Sequence, residues 1–211
     1  MADNVQKIAK SIYSGDVEAV AELVQDALDS GIAPGDVLND ALLAGMDEVG
    51  RDFKEGVLFV PEVLLAARSM QAGMDVLKPL LADGEIASSG KYVLGTVKGD
   101  MHDIGKNLVR MMLEGGGFEA IDLGVDVEPS AFVEAVREHK PDLVGMSALL
   151  TTTMAQMKVT IDALEEAGLR DSVKIVIGGA PVTAAFAEQI GADAFAEDAA
   201  TAVDVARELR A

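Results

Sequence analysis

The residues that are best suited to catalysis or metal binding lie in one loop, in the middle of the chain. Asp100 and His102 are two positions apart, a spacing that lets a carboxylate reach one imidazole nitrogen and fix the tautomer of the ring. The other nitrogen would then be free to bind a metal ion. A lone histidine is more often a surface residue or a hydrogen-bonded core residue. This spacing alone therefore makes His102 only a candidate metal ligand. His139, among charged neighbours, is expected to be solvated surface.

Two other polar segments follow predicted strands and bear on the same site. Ser147–Thr153 follows the third strand, and Gly178–Gly179 follows the fourth. In an open parallel sheet, ligands bind beyond the carboxyl ends of the strands at the switch point. We therefore expect both segments to converge on His102, and Ser147 to hydrogen-bond the Asp100 carboxylate. The alternatives are that the threonines only cap the next helix and that the glycines only form a tight turn.

Three other chemistries fit these loops less well. A His–Asp–Ser set suggests a hydrolase, but Gly145–Leu149 lacks the second glycine of a nucleophile elbow. A Walker A loop needs four residues before Gly-Lys and then Ser or Thr, whereas five residues separate Gly99 from Gly105 and Asn107 replaces the hydroxyl residue. A phospho-acceptor receiver would have Asp where Ser147 stands. A weaker phosphate role at the start of the next helix stays open.

Composition narrows the class of protein. The chain has 211 residues with 36 acidic and 17 basic side chains, a net charge of -19. Such a surface repels phosphate backbones, so we expect no nucleic-acid partner. There is no cysteine, which excludes disulfides and thiolate metal sites. No apolar run reaches the roughly 18 residues of a membrane span, and the polar N-terminus does not resemble a signal peptide. We expect a soluble, cytoplasmic protein without a membrane partner.

The elements that position these loops differ between the two halves of the chain. Apolar residues recur at helical spacing from Asp3 to about Leu81, which predicts four helices with short connections, and so a small bundle. Asp16 is a predicted N-cap, and Pro61 is predicted at the first position of the last helix. We assign residues 1–82 to this bundle and residues 83–90 to a linker.

Residues 91–211 alternate short apolar runs with helical segments, which predicts a parallel sheet with helices on both faces. The default order for five strands in this pattern is 2-1-3-4-5. The predicted strands are Tyr92–Val97, Ala120–Leu123, Leu143–Met146, Val173–Ile177 and Ala194–Phe195. The predicted helices begin at Ile104, Pro129, Thr153, Pro181 and Ala199.

With these residues in place, the chain resembles cobalamin-binding proteins. Asp100-x-His102-x-x-Gly105, Ser147-x-Leu149 and Gly178-Gly179 match, in order, the three-part signature of base-off, His-on corrinoid domains. The run 96–107 is similar to methionine synthase and to stand-alone corrinoid proteins of one-carbon methyltransferase systems. Residues 56–62 and 66–70 are similar to the helical cap of those families. The resemblance covers nearly the whole chain and implies a four-helix bundle cap followed by a Rossmann-like (flavodoxin-like) cobalamin-binding domain.

The resemblance also implies roles for individual residues. His102 would be the lower ligand to cobalt, with Asp100 and Ser147 behind it as partners in catalysis. Phe59, on the cap, would lie near the methyl-bearing face. The full set of implied cofactor-binding residues is Asp100, Met101, His102, Asp103, Ile104, Gly105, Ser147, Leu149, Thr151, Gly178, Gly179 and Phe59.

The function implied is that of a methyl carrier, a non-autonomous subunit of a methyltransferase system. Such a chain shuttles a methyl group on cobalt between a donor-specific methyltransferase and an acceptor methyltransferase, such as one using tetrahydrofolate, with a reductive activase as a further partner. The length leaves no room for the other domains of methionine synthase. A light-sensing corrinoid regulator would carry a DNA-binding module, and the sequence shows no basic recognition helix. The alternatives are a corrinoid sensor or storage protein and, less well supported, a nucleotide-binding module. The donor, whether methylamine, betaine, methanol or a methoxylated aromatic, would be chosen by the partner enzyme.

Overall fold

The structure is a computed structural model that describes residues 2–80 and 89–211. The chain divides into two compact units. One contains the helical N-terminal half together with Glu114–Gly117, and the other contains Ser89–Leu113 and Phe118–Ala211. The predicted linker, 83–90, lies outside the described residues except for its last two positions, and the first strand already begins at Gly90.

The helical unit has the predicted four helical segments. They are α1 (Ala2–Tyr13), α2 (Val17–Asp29), a continuous segment made of α3 (Pro34–Asp36), a π-helical stretch (Val37–Leu43) and α4 (Ala44–Lys54), and α5 (Val60–Leu77), which a 3₁₀ turn (Lys78–Leu80) follows. Each helix turns an apolar stripe inward, and the centre of the unit is filled by small and medium aliphatic side chains, among them Ile8, Val20, Leu42, Val63 and Met70. The fold class predicted for this half is confirmed.

Two helix starts in this unit show how local sequence sets the boundaries. Asp16 caps α2, because its Oδ1 accepts the backbone N–H of Ala19 at 3.1 Å. At the start of α5, the side chain of Glu62 accepts the N–H of Phe59 at 3.0 Å, and Pro61 occupies the first turn. The predicted Asp16 cap is confirmed, whereas Pro61 is the second residue of α5 and not the first, because the helix already begins at Val60.

The α/β unit contains five parallel strands in the order β2-β1-β3-β4-β5, as predicted. The strands are β1 (Gly90–Thr96), β2 (Phe118–Asp122), β3 (Leu143–Ser147), β4 (Lys174–Gly178) and β5 (Ala194–Ala196). The helices are α6 (Ile104–Gly115), α7 (Pro129–His139), α8 (Ala155–Glu166), α9 (Ala184–Ile190) and α10 (Ala199–Arg210). The central strands are apolar and buried, as expected when helices cover both faces of a parallel sheet.

Two helices begin later than the sequence predicts. Helix α8 starts at Ala155 rather than Thr153, because Thr153 lies in a turn and its hydroxyl is used elsewhere. Helix α9 starts at Ala184 rather than Pro181. Here the Val182 N–H donates to the Gly179 carbonyl in a tight turn, and the Thr183 hydroxyl caps the helix through the Phe186 N–H.

The strand register brings three loops to one edge of the sheet. Ser147, the last residue of β3, pairs with Thr96 at the end of β1 and with Gly178 at the end of β4. The segments that follow these strands therefore leave the sheet side by side, where ligands bind in this topology. No helix in the described part of the chain is long and apolar enough to cross a membrane.

Candidate functional site

The loop after β1 is shaped by a tight turn. The Asp100 N–H donates to the Val97 carbonyl at 3.1 Å, and Gly99 has φ +80°. A positive φ at the third position of such a turn favours glycine, because a side chain there is strained. Further along, the Thr96 hydroxyl donates to the carbonyl of His102 at 2.8 Å. The end of β1 thus fixes both the beginning and the end of the segment that carries Asp100.

Asp100 orients His102. Its side chain is fully buried, and its Oδ1 lies 2.7 Å from His102 Nδ1 and accepts the His102 backbone N–H at 3.1 Å. Half of the His102 side chain is exposed. Its Nε2 makes no hydrogen bond to any described residue. An imidazole that donates through Nδ1 to a carboxylate presents Nε2 as a lone-pair donor, the arrangement typical of metal-ligating histidines.

The other oxygen of Asp100 is held by the segment after β3. Oδ2 accepts the Leu149 N–H at 2.8 Å, the Leu150 N–H at 3.3 Å and the Thr153 hydroxyl at 2.7 Å. Burial by itself would raise the pKa of this carboxyl, but the hydrogen bonds from His102, Thr153 and the backbone outweigh it and hold the pKa well below its usual range. Asp100 is therefore an anion that only accepts hydrogen bonds.

The expected hydrogen bond between Ser147 and Asp100 is wrong. Among the described residues the hydroxyl that reaches Asp100 belongs to Thr153, whose side chain is buried. Ser147 is the last residue of β3, where its carbonyl accepts the Val97 N–H. The chain turns only after it, so the amides of Leu149 and Leu150 and the Thr153 hydroxyl face the carboxylate instead. From the sequence, Thr153 is predicted only as a helix cap, because residue spacing does not show the path of a turn.

Apolar side chains surround this polar centre. Met101 and Ile104 are 68% and 80% exposed, and Leu149 and Leu150 are 43% and 42% exposed. Large apolar side chains that remain in water next to a polar group mark a binding surface. Met101, Ile104 and Leu149 are among the predicted cofactor-binding residues. Leu150 is not among the predicted residues. The sequence feature that could have indicated it is the apolar pair Leu149-Leu150 directly after a strand.

The glycines at this edge have different reasons for being glycine. Gly179 has φ +128°, and a Cβ there would lie 1.9 Å from the Ala148 carbonyl oxygen. The fold itself requires it, which favours the tight-turn interpretation. Gly178 is less constrained, with the Ala196 carbonyl oxygen 3.0 Å from an added Cβ. Nothing in the described chain lies within 4 Å of a Cβ on Gly105, so internal packing does not explain that glycine, and the space beside it is open to a ligand.

Of three further predicted residues, Asp103 and Thr151 make no hydrogen bond to the Asp100 carboxylate in the described part of the chain, and Phe59 belongs to the helical unit. The Asp103 carboxylate accepts the Asn107 side-chain amide at 3.1 Å on the first turn of α6. Thr151 is exposed in the turn after β3. Phe59 is 64% exposed at the start of α5, in the helical unit.

No group of three or more His, Asp or Glu side chains in the described ranges could hold a metal ion by itself. A single oriented imidazole suits a metal that brings its other ligands with it, as a metal inside a macrocycle does. The donor set, one oriented imidazole within an apolar rim, fits such a group.

Known protein families and individual proteins match nearly the whole chain. Two family models, both described as B12 binding domain, match residues 90–206 and residues 5–78. A dimethylamine corrinoid protein of Methanosarcina acetivorans is 45% identical over 208 residues, which are 98% of this chain and 97% of that protein. A trimethylamine corrinoid protein of the same organism is 44% identical over 216 residues, 100% of this chain and 99% of that protein.

Solved structures show the same relationship in three dimensions. The methanol:cobalamin methyltransferase complex of Methanosarcina barkeri contains a chain that matches with a TM-score of 0.89 and 35% identity, covering 99% of this chain and 80% of that one. A cobalamin-binding protein of Desulfitobacterium hafniense matches with a TM-score of 0.82 and 36% identity, over 97% and 98% of the two chains.

The helical unit and the parallel sheet, each with its own B12-binding match, define a cobalamin-binding protein. Within that class, the chain belongs to the family of stand-alone corrinoid proteins, and its cofactor is a cobalamin-type corrinoid.

Proposed function

We propose that this chain is a methyl carrier that binds its corrinoid base-off and His-on, with His102 Nε2 as the protein ligand to cobalt. The observation that carries the proposal is the 2.7 Å contact between the buried Asp100 carboxylate and His102 Nδ1, which leaves Nε2 without a protein partner among the described residues. The similarity to dimethylamine and trimethylamine corrinoid proteins supports the carrier role.

When bound, the corrinoid supplies a cobalt centre that accepts a methyl group from one substrate and releases it to another. The residues of this chain tune that centre from below. Asp100 fixes the tautomer of His102 and, as an anion, raises the basicity of its Nε2. The amides of Leu149 and Leu150 and the Thr153 hydroxyl keep Asp100 ionised and immobile. The open space beside Gly105 admits a bulky group against the start of α6.

The partners follow from the same proposal. A donor-specific methyltransferase would load the methyl group, an acceptor methyltransferase would remove it, and a reductive activase would restore a cofactor that has become oxidised. A solved relative occurs in a methanol:cobalamin methyltransferase complex, and other relatives are named for dimethylamine and trimethylamine. The exposed, apolar Phe59 at the start of α5 is proposed to approach the methyl-bearing face.

The axial ligand can be tested with the two histidines of the chain. The protein is loaded with cobalamin, reduced to the cobalt(II) state and examined by electron paramagnetic resonance after labelling its histidines with ¹⁵N. A histidine ligand changes the superhyperfine pattern from that of ¹⁴N to that of ¹⁵N, whereas the cofactor's own base keeps the ¹⁴N pattern. We expect the ¹⁵N pattern for wild type and for the control His139→Ala, and its loss in His102→Ala. An unchanged ¹⁴N pattern in wild type would refute His-on binding.

The carrier role is tested separately by turnover. The reduced, cobalamin-loaded chain is incubated with candidate methyltransferases and their methyl donors, and the methylated cofactor is followed by absorbance. We expect methylation with one donor class and demethylation with an acceptor enzyme. Tight cobalamin binding without transfer to or from any partner would instead indicate a sensor or storage protein.

A further inference from the structure

The loop after β2 contains a residue with an unusual backbone. Asp126 has φ +52°, and among the described residues the only other non-glycine position with positive φ is Lys140. Lys140 ends α7 in the left-handed conformation, which is an ordinary way to terminate a helix. Asp126 ends no helix. Such a conformation is strained and persists only where the surroundings impose it, often near functional sites.

The two hydrogen bonds of Asp126 account for its conformation. Its Oδ1 accepts the Gly99 N–H at 2.6 Å, and its own N–H donates to the Asp100 carbonyl at 3.0 Å. Along the backbone, the Gly99 N–H lies before the Asp100 Cα and the Asp100 carbonyl lies after it. Asp126 therefore holds the Lys98–Gly99 peptide group before Asp100 and the Asp100–Met101 peptide group after it, and a positive φ lets its side chain and its backbone face the same loop.

The neighbouring contacts fix Asp126 to the sheet. Val127, the next residue, is buried, and its N–H donates to the Thr96 carbonyl at 3.0 Å. The Thr96 N–H in turn donates to the Gly124 carbonyl at 3.0 Å. Asp126 thus extends from a continuation of the β1–β2 pairing, and it ties the glycine turn to β2 in addition to the hydrogen bonds that hold this turn to β1.

From this geometry we propose that Asp126 is a positioning residue for the cobalt ligand, which it controls through Gly99 and Asp100 without touching the cofactor. The proposal rests on the axial role of His102. The Asp100 carboxylate can hold His102 Nδ1 and accept from Leu149 and Thr153 at the same time only while its backbone stays in place. Asp126 supplies that constraint.

The chain offers variants that separate the hydrogen bond from the backbone conformation. Asp126→Asn keeps an oxygen acceptor and tolerates positive φ, whereas Asp126→Gly keeps the conformation but removes the acceptor. Glu128→Gln is the matched control, because Glu128 forms an exposed ion pair of 2.9 Å with Lys98 between the same two loops. It removes a charge without touching the Gly99 amide.

Two measurements test the role. In the cofactor-free protein, the Gly99 amide proton should move upfield in Asp126→Gly and stay near its wild-type position in Asp126→Asn and Glu128→Gln. In the cobalamin-loaded protein, Asp126→Gly should weaken cobalamin binding and lower the fraction with the His-on spectrum. The binding should weaken by about 3- to 10-fold, less than the roughly 10- to 100-fold typical of groups that contact a metal ligand directly, because Asp126 acts through Asp100. Asp126→Asn should recover most of the affinity and of the His-on fraction.

The outcomes distinguish this inference from the proposed function. Wild-type affinity and a wild-type His-on fraction in Asp126→Gly would overturn the positioning role while His-on binding stands. Equal losses in Asp126→Asn and Asp126→Gly would also overturn it, because the acceptor oxygen would then be irrelevant. A wild-type protein that binds cobalamin without a histidine ligand would refute the proposed function itself and, with it, this inference.

Discussion

Asp100 Oδ1 lies 2.7 Å from His102 Nδ1, with the carboxylate fully buried and half of the histidine exposed. This difference in burial decides what each residue can do. The anion cannot be solvated, so its charge is balanced by hydrogen bonds from the protein and it holds the ring in one orientation. The ring, in contrast, is open to a ligand on its far side. Substitutions of residues that hydrogen-bond Asp100 are therefore expected to change the position of His102 without contacting its exposed Nε2.

Removing the Thr153 hydroxyl should destabilise the cofactor-free protein. Thr153→Val conserves shape but deprives the buried Asp100 carboxylate of a donor at 2.7 Å, a change that costs about 1–3 kcal/mol. Ser147→Ala is the matched control, because the Ser147 hydroxyl does not contact that carboxylate. Urea denaturation should show the loss for Thr153→Val, while Thr153→Ser stays close to wild type. A larger loss for Ser147→Ala than for Thr153→Val would contradict this assignment.

The contrast between Ser147 and Thr153 shows what the sequence could and could not predict. Strand–helix alternation and apolar runs specify the sheet and its order, since both depend on residue patterns that repeat over many positions. His102 and Asp100 were predictable because they are two residues apart in one loop. The Thr153 contact joins residues 53 positions apart and depends on how a turn folds back. The hydrogen bonds of Asp126 with Gly99 and Asp100 depend on the positive φ of Asp126. The residues around an aspartate in the sequence do not predict that conformation.

Gly179 should be required for folding even without a cofactor. An alanine there would place its Cβ 1.9 Å from the Ala148 carbonyl oxygen, in a backbone region of φ +128°. We expect Gly179→Ala to lower the free energy of unfolding by about 3 kcal/mol or more, or to abolish folding. Gly168→Ala is the control, because Gly168 has φ +69° but no atom within 4 Å of an added Cβ. It should lose only about 1–2 kcal/mol. Equal effects in denaturation of the cofactor-free protein would show that the Ala148 contact is unimportant.

The ion pair between Lys106 and Asp122 should contribute more stability than an ordinary surface pair. The Lys106 side chain is 3% exposed and its Nζ lies 2.5 Å from Asp122 Oδ2 and 2.8 Å from Asn107 Oδ1. Lys106→Met keeps the apolar stem but leaves Asp122 with only the more distant Arg110, whose Nε lies 3.9 Å from Asp122 Oδ2. Because Asp122 is still 25% exposed, we expect a loss of about 2–3 kcal/mol, below the full effect of breaking a buried pair.

The control for this pair is Lys158→Met. Lys158 also lies on a helix and pairs with Asp162, but the two side chains are 44% and 46% exposed. Exposed pairs contribute little, so its loss should stay within about 0.5 kcal/mol. Thermal or urea denaturation of the two variants side by side makes the comparison. A Lys106→Met protein as stable as Lys158→Met would mean that burial adds nothing to the Lys106 pair.

The two tyrosines should make the fold sensitive to alkaline pH. The hydrogen bond from Tyr13 to Asp52, 2.7 Å long, raises the pKa of Tyr13 above its ordinary value of 10.0. Burial alone raises the pKa of Tyr92, which packs edge-on against Phe118. A tyrosine pKa that is higher in the folded state stabilises the protein fully below the unfolded value, and the contribution is lost as pH rises through the folded value.

The chain has no tryptophan, so tyrosinate absorbance can follow both groups directly. In the native protein we expect both tyrosines to ionise at higher pH than in urea, where both should ionise near their ordinary pKa of about 10. Tyr13→Phe should leave a single transition, that of Tyr92, which coincides with loss of helical circular dichroism because the buried phenolate cannot be solvated in the fold. Ionisation of Tyr92 near pH 10 with the fold intact would contradict its burial.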